Sequence, residues 1–355
     1  MTAAGSPPGS GPGPDGATRP GGHGAPEAAA RVPVLEVGGT HVVAALVDFG
    51  GTTPRVEHGE RHPLPADGGP EEIVDRIAGC ARTLPGTPRG RWAVALPGPF
   101  DYEAGVARYE GVGKFDALHG LDLGRALMAR LPGATGITFV NDAVAFALGE
   151  AAYGAAVGHG RSVAITLGTG VGSAFLSGGR PVSEGALVPP QGRADLIRCD
   201  GLPLEDGVSR RAVIRAYRAA TGRERDVREI AALARRGDTA ATRVVTDAFG
   251  LLGRALGPWL ARFRATVVVV GGSMTGSWDV LGPAVRDGVR AGAPQAAGIP
   301  WVTARLGADA PLLGAALSGG APHDAWPPGT ASRVATPPAG PPPPASPAPL
   351  RGETG

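Results

Sequence analysis

Three glycine-rich turns, each directly after an apolar run, are the first residues in this chain that could do chemistry: EVGGT at 36–40, LGTGVG at 167–172 and GGSMTG at 271–276. Glycine tolerates positive φ and lets other groups approach the backbone, so the exposed N–H groups of such turns can surround a phosphate. Each alone also reads as an ordinary hairpin or strand-to-helix turn. None fits G-x-x-x-x-G-K-[ST], and GTGVGSAF at 168–175 does not complete G-x-G-x-x-G, which argues against P-loop and dinucleotide-binding readings. The fourth feature is a polar pair, Asn141 and Asp142, directly after the buried run ITFV. Open α/β sheets hold ligands at the carboxyl ends of their strands. The pair can cap the helix that follows. A carboxylate there can also accept the hydroxyl proton of an alcohol attacking a phosphoryl group, while Mg²⁺ and backbone amides hold the phosphate charge. Asp142 is the candidate general base.

These residues need short strands ending together, and the chain supplies them. VPVLEVGG and VVAALVDFGG read as a hairpin beginning at Val32, and SVAITL, GTGVG and SAFLSGG read as a second one from Ser162. Aligning LEVGGTHVVAAL with ITLGTGVGSAFL sets Val37 against Leu167, a faint internal duplication. Helical spacing predicts helices over 71–82 and 123–131, from Asn141 onward, over 205–222, 226–263 and 278–289, and finally over 311–317. Strands are expected over 92–96, 137–140, 265–270 and 301–306, and 181–206 reads as a Pro- and Gly-punctuated loop. The helix after Asn141 is apolar almost all round, as a buried helix must be. Strands alternating with helices give α/β class.

Glycine (59) and proline (36) together make up about 27% of the 355 residues and crowd the ends. The reading is therefore a disordered tail over 1–30, a folded body, and a Pro-rich disordered tail over 319–355. A body this long suits two domains, divided here as 31–142 and 143–318. The net charge of +2 is too balanced for a protein that lives by neutralising nucleic-acid phosphates. The first residues lack the charged and apolar regions of a signal peptide, and no apolar run is long enough to span a membrane, so the expected location is the cytoplasm. Cys80 and Cys199 are the only cysteines, which excludes a disulfide framework and a four-thiolate zinc site. Lys114 is the only lysine.

Taken in order, EVGGTHVVAALVD, ALPGPFDYEAGV, VNDA-x-x-x-A-L-G-E, LGTGVG and VVVVGG resemble the ROK family of sugar kinases and repressors over roughly residues 31–318. The resemblance implies the actin-like (hexokinase/ribonuclease H-like) two-domain ATPase fold, with ATP and sugar in the cleft between domains. It further implies that Gly38, Gly39 and Thr40 face the ATP phosphates, that Asp142 is the base, and that Gly168, Thr169 and Gly170 form a second phosphate loop. Gly271 and Gly272 would lie under the adenosine, and a homodimer is expected. Family repressors carry an N-terminal helix-turn-helix, where this chain has a Gly/Pro tail, so DNA binding is not expected.

The departures bear on the acceptor. Glu36 stands where the family usually has aspartate, one methylene longer on the way to a Mg²⁺-bound water. The family's Glu-x-Gly-His and its Cys-rich zinc loop have no counterpart, since 183–209 contain no His and only Cys199, and zinc is not expected. Leu204, Glu205 and Ser209 still match the segment after that loop, so Glu205 is a candidate sugar contact or a helix cap, with Glu184 and Asp195 as further candidates. Lys114 replaces a sugar-contacting asparagine and reads as an acceptor contact or a solvated loop lysine. Asn141 is the remaining acceptor candidate. Val144, in place of a family asparagine, reads as packed, and His41 and His119 as surface or supporting residues. The expectation is an ATP- and Mg²⁺-dependent kinase of a hexose-like sugar, with no nucleic-acid or membrane partner. A sensor without turnover, or a kinase using polyphosphate as donor, are the alternatives.

Overall fold

The computed structural model describes residues 31–86, 88–131, 133–319, 321 and 325. The tails expected over 1–30 and beyond 319 lie almost wholly outside the described residues. β1 (Arg31–Val37), β2 (His41–Asp48) and β3 (Arg55–Pro63) form an antiparallel meander. α1 (Pro70–Ala81) crosses back to β4 (Gly90–Leu96), parallel to β1. A two-stranded ribbon of β5 (Phe100–Asp101) and β6 (Val106–Ala107), then α2 (Leu123–Met128), lead to β7 (Ala134–Asn141), parallel to β4. The sheet order is β3-β2-β1-β4-β7.

After α3 (Asp142–Tyr153) the pattern repeats. β8 (Arg161–Leu167), β9 (Val171–Ser177) and β10 (Arg180–Pro181) form the second meander. A ribbon of β11 (Arg198–Cys199) and β12 (Leu202–Pro203) precedes α4 (Glu205–Val208), α5 (Arg210–Thr221), α6 (Val227–Arg235) and α7 (Thr239–Phe263). β13 (Val267–Gly271), α8 (Trp278–Gly292), β14 (Trp301–Thr303) and α9 (Asp309–Gly319) complete the chain. The second sheet runs β10-β9-β8-β13-β14, the same order and directions as the first. Val37 pairs with Val42 across the first turn and Leu167 with Val171 across the second, so the faint sequence duplication is a repeated sheet.

The period-two alternation of the strands explains the layers. In β1, Leu35 and Val37 pack on the side of α1, while Val32 and Val34 pack against α9. In β8 and β13, Val163, Ile165, Val268 and Val270 face the large helical layer of α5 to α8, and Ala164, Val267 and Val269 face α3. α3 and α9 thus lie between the two sheets, and α3 is buried on nearly every side, as its composition requires. Their axes come close because both carry glycine at the crossing: a β-carbon on Gly314 would lie 1.7 Å from the Ala145 carbonyl oxygen. The buried Glu150 fixes the far end of α3. Its carboxylate accepts N–H bonds from Ala155 (2.7 Å), Arg305 (3.1 Å) and Leu306 (2.8 Å), tying α3 to the segment that enters α9.

Local readings differ from expectation in several places: the 205–222 helix breaks at Ser209 into α4 and α5, and the 181–206 loop contains the β11–β12 ribbon. β3, RVEHGERHP, is a mostly exposed edge strand without apolar alternation, so nothing in its pattern marked it as a strand. The single helix expected over 226–263 is two helices. Gly237 takes φ +85° and the Asp238 carboxylate accepts the Ala241 N–H at 2.8 Å, capping α7 afresh.

Candidate active site

A cleft of about 940 Å³ opens between the two sheets, and its floor is the junction of β7 and α3. The Asn141 side chain is the cap: its carbonyl oxygen accepts the N–H groups of Ala143 (3.0 Å) and Val144 (3.2 Å). Its amide donates to the Tyr102 hydroxyl at 3.0 Å, which in turn donates to the Leu96 carbonyl at 3.2 Å. Asp142, first residue of the helix, shares the Ala143 N–H through Oδ1 (2.9 Å), leaves the Val144 N–H to Asn141, and lines the cleft. Burial pushes its carboxyl upward, while the Ala143 N–H and the charges of Lys114 and Arg193 pull it back.

Glu36 lies at the end of β1, and burial together with the nearby Asp142 pushes its carboxyl up to about 7, against the opposing pull of Arg61. In the turn that follows, the Gly38 N–H donates to the His41 carbonyl at 2.8 Å and Thr40 Oγ1 lies 3.2 Å from His41 Nδ1. Gly39 is the residue of this turn that lines the cleft. Opposite, Gly168, Thr169 and Gly170 form part of the cleft wall, held by the Gly168 N–H to the Gly170 carbonyl (3.0 Å) and by the Arg210 N–H to the Gly168 carbonyl (2.9 Å). Glu205 also faces the cleft, but its carboxylate accepts the Val171 N–H at 3.0 Å rather than capping its own helix. The two glycines after β13 differ. Gly272, at φ +90°, reaches the cleft and passes so close to Leu167 that a β-carbon would lie 2.3 Å from its carbonyl oxygen. Gly271 is buried against the Phe146 ring.

Another side of the cleft is lined by the 181–206 segment, which lacks a zinc loop. Ser173, buried in β9, donates to the Gly192 carbonyl (2.8 Å) and accepts the Ala194 N–H (2.7 Å), which pins 192–194 to the sheet. This positions Arg193, whose guanidinium forks onto the Asp195 carboxylate at 2.6 and 3.2 Å with both residues lining the cleft. Glu184 is exposed and is not part of that lining. Sequence reasoning missed Arg193 and Tyr102. Arg193 left only a weak signal, an Arg-x-Asp spacing that Arg198 and Asp200 repeat in the same loop; Tyr102 lies within the ALPGPFDYEAGV stretch, but only the fold brings it to Asn141. Val144 packs between two core clusters and also reaches the cleft. His41 and His119 stand outside the lining, His119 Nδ1 lying 3.0 Å from the Tyr109 carbonyl. Among the described residues, no group of three or more His, Cys, Asp or Glu is arranged to hold a metal ion.

Two sheets of identical topology, each starting in a glycine hairpin and facing the other across a cleft, define the actin-like, hexokinase-like ATPase fold. The ROK family model matches residues 33–318, and the chain belongs to that family. It is 29% identical over 309 residues to the glucokinase of Thermotoga maritima, covering 76% of this chain and 95% of that protein. The ROK hexokinase of Thermus thermophilus superposes with a TM-score of 0.62 at 28% identity, over 81% of this chain and 97% of that one. A ROK family glucokinase from Streptomyces griseus, in complex with glucose and AMPPNP, shares the fold with a TM-score of 0.64 at 23% identity, over 81% and 98%. No helix among the described residues is long and apolar enough to cross a membrane.

Proposed function

We propose that this chain is a sugar kinase that transfers the γ-phosphoryl group of ATP to a hydroxyl of a hexose-like acceptor. The observation that carries this is the arrangement at the start of α3: Asn141 takes both the Ala143 and Val144 N–H groups, and the neighbouring Asp142 carboxylate, with only the shared Ala143 N–H on Oδ1, lines the cleft floor. The glucokinase of Thermotoga maritima and the ROK hexokinase of Thermus thermophilus, 29% and 28% identical to this chain, are named for hexose phosphorylation, which agrees with it.

In this reading Asp142 is the catalytic base. It takes the acceptor hydroxyl proton as the oxygen–phosphorus bond forms and the bridging bond to ADP breaks; the proton leaves to solvent with the products. The upward push on its carboxyl makes it a better base than an exposed aspartate. The turn of Gly38, Gly39 and Thr40, through Gly39, and the backbone of Gly168, Thr169 and Gly170 would hold phosphates from opposite walls, with Gly272 beneath the adenosine and Gly271 packed behind it. Asn141 and Glu205 would meet the acceptor.

The carboxylates suit Mg²⁺. The nearby Asp142 adds to the upward push on the buried Glu36 carboxyl, and Mg²⁺ is commonly held by one or two carboxylates with waters and phosphates. Glu36, reaching through water, would hold it, and the ion would supply neutralising charge to the phosphates. The test is ADP formation from ATP and Mg²⁺ over a panel of hexoses, with Asp142→Ala alongside. Wild-type turnover by the variant would remove Asp142 from this role. A sensor without turnover is favoured by Glu36, one methylene longer than the family's aspartate; sugar binding in calorimetry with no ADP formed from any hexose would establish that reading instead.

A further inference from the structure

Lys114 sits on a loop that is fixed on both sides. The Asp116 carboxylate accepts the N–H groups of Val112 and Gly113, both at 3.1 Å, and the Phe115 N–H donates to the Ala66 carbonyl at 2.6 Å. The Phe115 ring is buried and stacks obliquely on Tyr109 with centroids 5.3 Å apart. A lysine between such anchors starts from a defined backbone position, and only its stem is free.

That stem lies along the first glycine turn. A β-carbon placed on Gly39 would be 3.4 Å from Lys114 Cδ and 3.9 Å from Nζ, so the lysine passes the Gly39 turn at van der Waals distance. Lys114, Gly39 and Asp142 line the same cleft. Among the described residues, neither the Gly39 N–H nor the Lys114 ammonium has a hydrogen-bond acceptor, and Lys114 is in no ion pair. A backbone donor and an ammonium close together on one cleft wall, neither with an acceptor, suit an anion rather than a neutral hydroxyl, which needs only one donor.

Resting on the kinase reading, we propose that Lys114 is a catalytic residue that contacts the transferring phosphoryl group, between the Gly39 turn and Asp142, rather than the sugar. As the bridging bond breaks, negative charge gathers on the terminal phosphoryl oxygens and the leaving oxygen, and a fixed cation beside them stabilises the transition state more than the ground state. The lysine would also oppose the upward push on Asp142, so it serves the phosphoryl group at some expense to the base.

Because Lys114 is the only lysine in the chain, its ε-amine can be followed alone. The full-length protein is treated with a limiting amine-reactive ester, and acetylation of Lys114 is read by peptide mass spectrometry, with nucleotide binding measured in parallel by calorimetry. A charge-assisted contact corresponds to about tenfold or more in occupancy, so a saturating non-hydrolysable ATP analogue with Mg²⁺ should slow labelling by about tenfold. ADP, lacking the terminal phosphoryl group, should protect far less, and glucose alone should leave the rate unchanged. In kinetics, Lys114→Met should lower kcat by about 10²- to 10³-fold, with the sugar KM nearly unchanged, and Lys114→Arg should restore much of it. Protection by glucose equal to or greater than that by the analogue would overturn the assignment in favour of an acceptor contact. Nucleotide binding without protection would overturn it while leaving the kinase reading intact, and absence of nucleotide binding would overturn both.

Discussion

Replacing Gly314 by alanine should cost more stability than any ordinary glycine-to-alanine change in a helix, and the structure gives the reason in distances. The new β-carbon would stand 1.7 Å from the Ala145 carbonyl oxygen and 2.6 Å from its carbon. Comfortable carbon–oxygen contacts begin near ~3.3 Å, so α9 and α3 must part by roughly 1.5 Å along that line. The obstacle is helix backbone, which cannot rotate aside as a side chain would. Separation also loosens Leu312, Leu313, Ala315 and Ala316, all buried between α9 and the first sheet. Overpacking a core commonly costs ~1 to 3 kcal/mol; with backbone as the barrier and packing lost around it, we expect about 3 kcal/mol or more. That is a large share of a typical total of ~5 to 15 kcal/mol. Gly79 is the internal control: it also lies in a helix, but its β-carbon would meet only the Arg82 guanidinium at 3.5 Å. Gly79→Ala should therefore stabilise by up to ~1 kcal/mol through helix propensity. Urea unfolding gives both numbers from the shift in midpoint at constant slope. Ala145 lies three residues beyond Asp142, so Gly314→Ala should also depress turnover at temperatures where it remains folded. A midpoint within ~0.5 kcal/mol of the parent would refute the claim that these two helices are held at backbone contact.

Three further outcomes follow from the site. Asp142→Asn should lower kcat by about 10²- to 10⁴-fold while leaving thermal stability unchanged or raised, because it removes a charge that burial disfavours; differential scanning calorimetry beside the kinase assay separates the two effects. The Glu36 carboxyl titrates near 7 when folded, above its ordinary value, so the folded protein binds more protons than the unfolded chain between about 4.5 and about 7. Metal-free stability should thus be greatest at the acid end of that window and fall by ~2 to 3 kcal/mol as pH rises through it. In Glu36→Gln the decline should largely vanish, and an unchanged pH slope in that variant would show that another group causes it. Ser173→Ala removes the hydroxyl that holds both the Gly192 carbonyl and the Ala194 N–H, and should cost ~1 to 3 kcal/mol in urea unfolding. Since Arg193 and Asp195 ride on that loop, the same variant should raise the acceptor KM and spare that of ATP, whereas equal changes in both would place the loop outside acceptor binding.

The sequence by itself determined the parts of this protein that depend on local pattern. The glycine turns, the alternating strands around them and the apolar helix after Asn141 are each dictated by residues close together in the chain, and the structure has them there. The repeat of LEVGGTHVVAAL in ITLGTGVGSAFL already held the repeated sheet, because two hairpins with the same inward and outward alternation pack alike. What failed locally failed for a physical reason. β3 lies at an exposed edge, where partner strands rather than its own side chains impose extended structure, and the break before α7 depends on one Gly–Asp pair inside a continuous helical pattern.

Only the tertiary structure decided which of the chemistry-bearing residues meet. Asn141 and Asp142 are adjacent in sequence and equally able to cap; their roles part because Tyr102, 39 residues away, holds the Asn141 amide. Glu205 turns toward Val171 rather than toward its own helix, and Gly271 and Gly272 separate into a packing residue and a cleft residue, because the neighbours responsible belong to other strands and helices. Arg193 could not be selected without Ser173 beneath its loop, nor could the position of Lys114 against Gly39, since side-chain direction and burial arise from contacts between segments far apart in the chain. The kinds of residue available for phosphate and proton chemistry are thus written in local sequence, whereas their convergence on one cleft is a property of two sheets folded against α3 and α9.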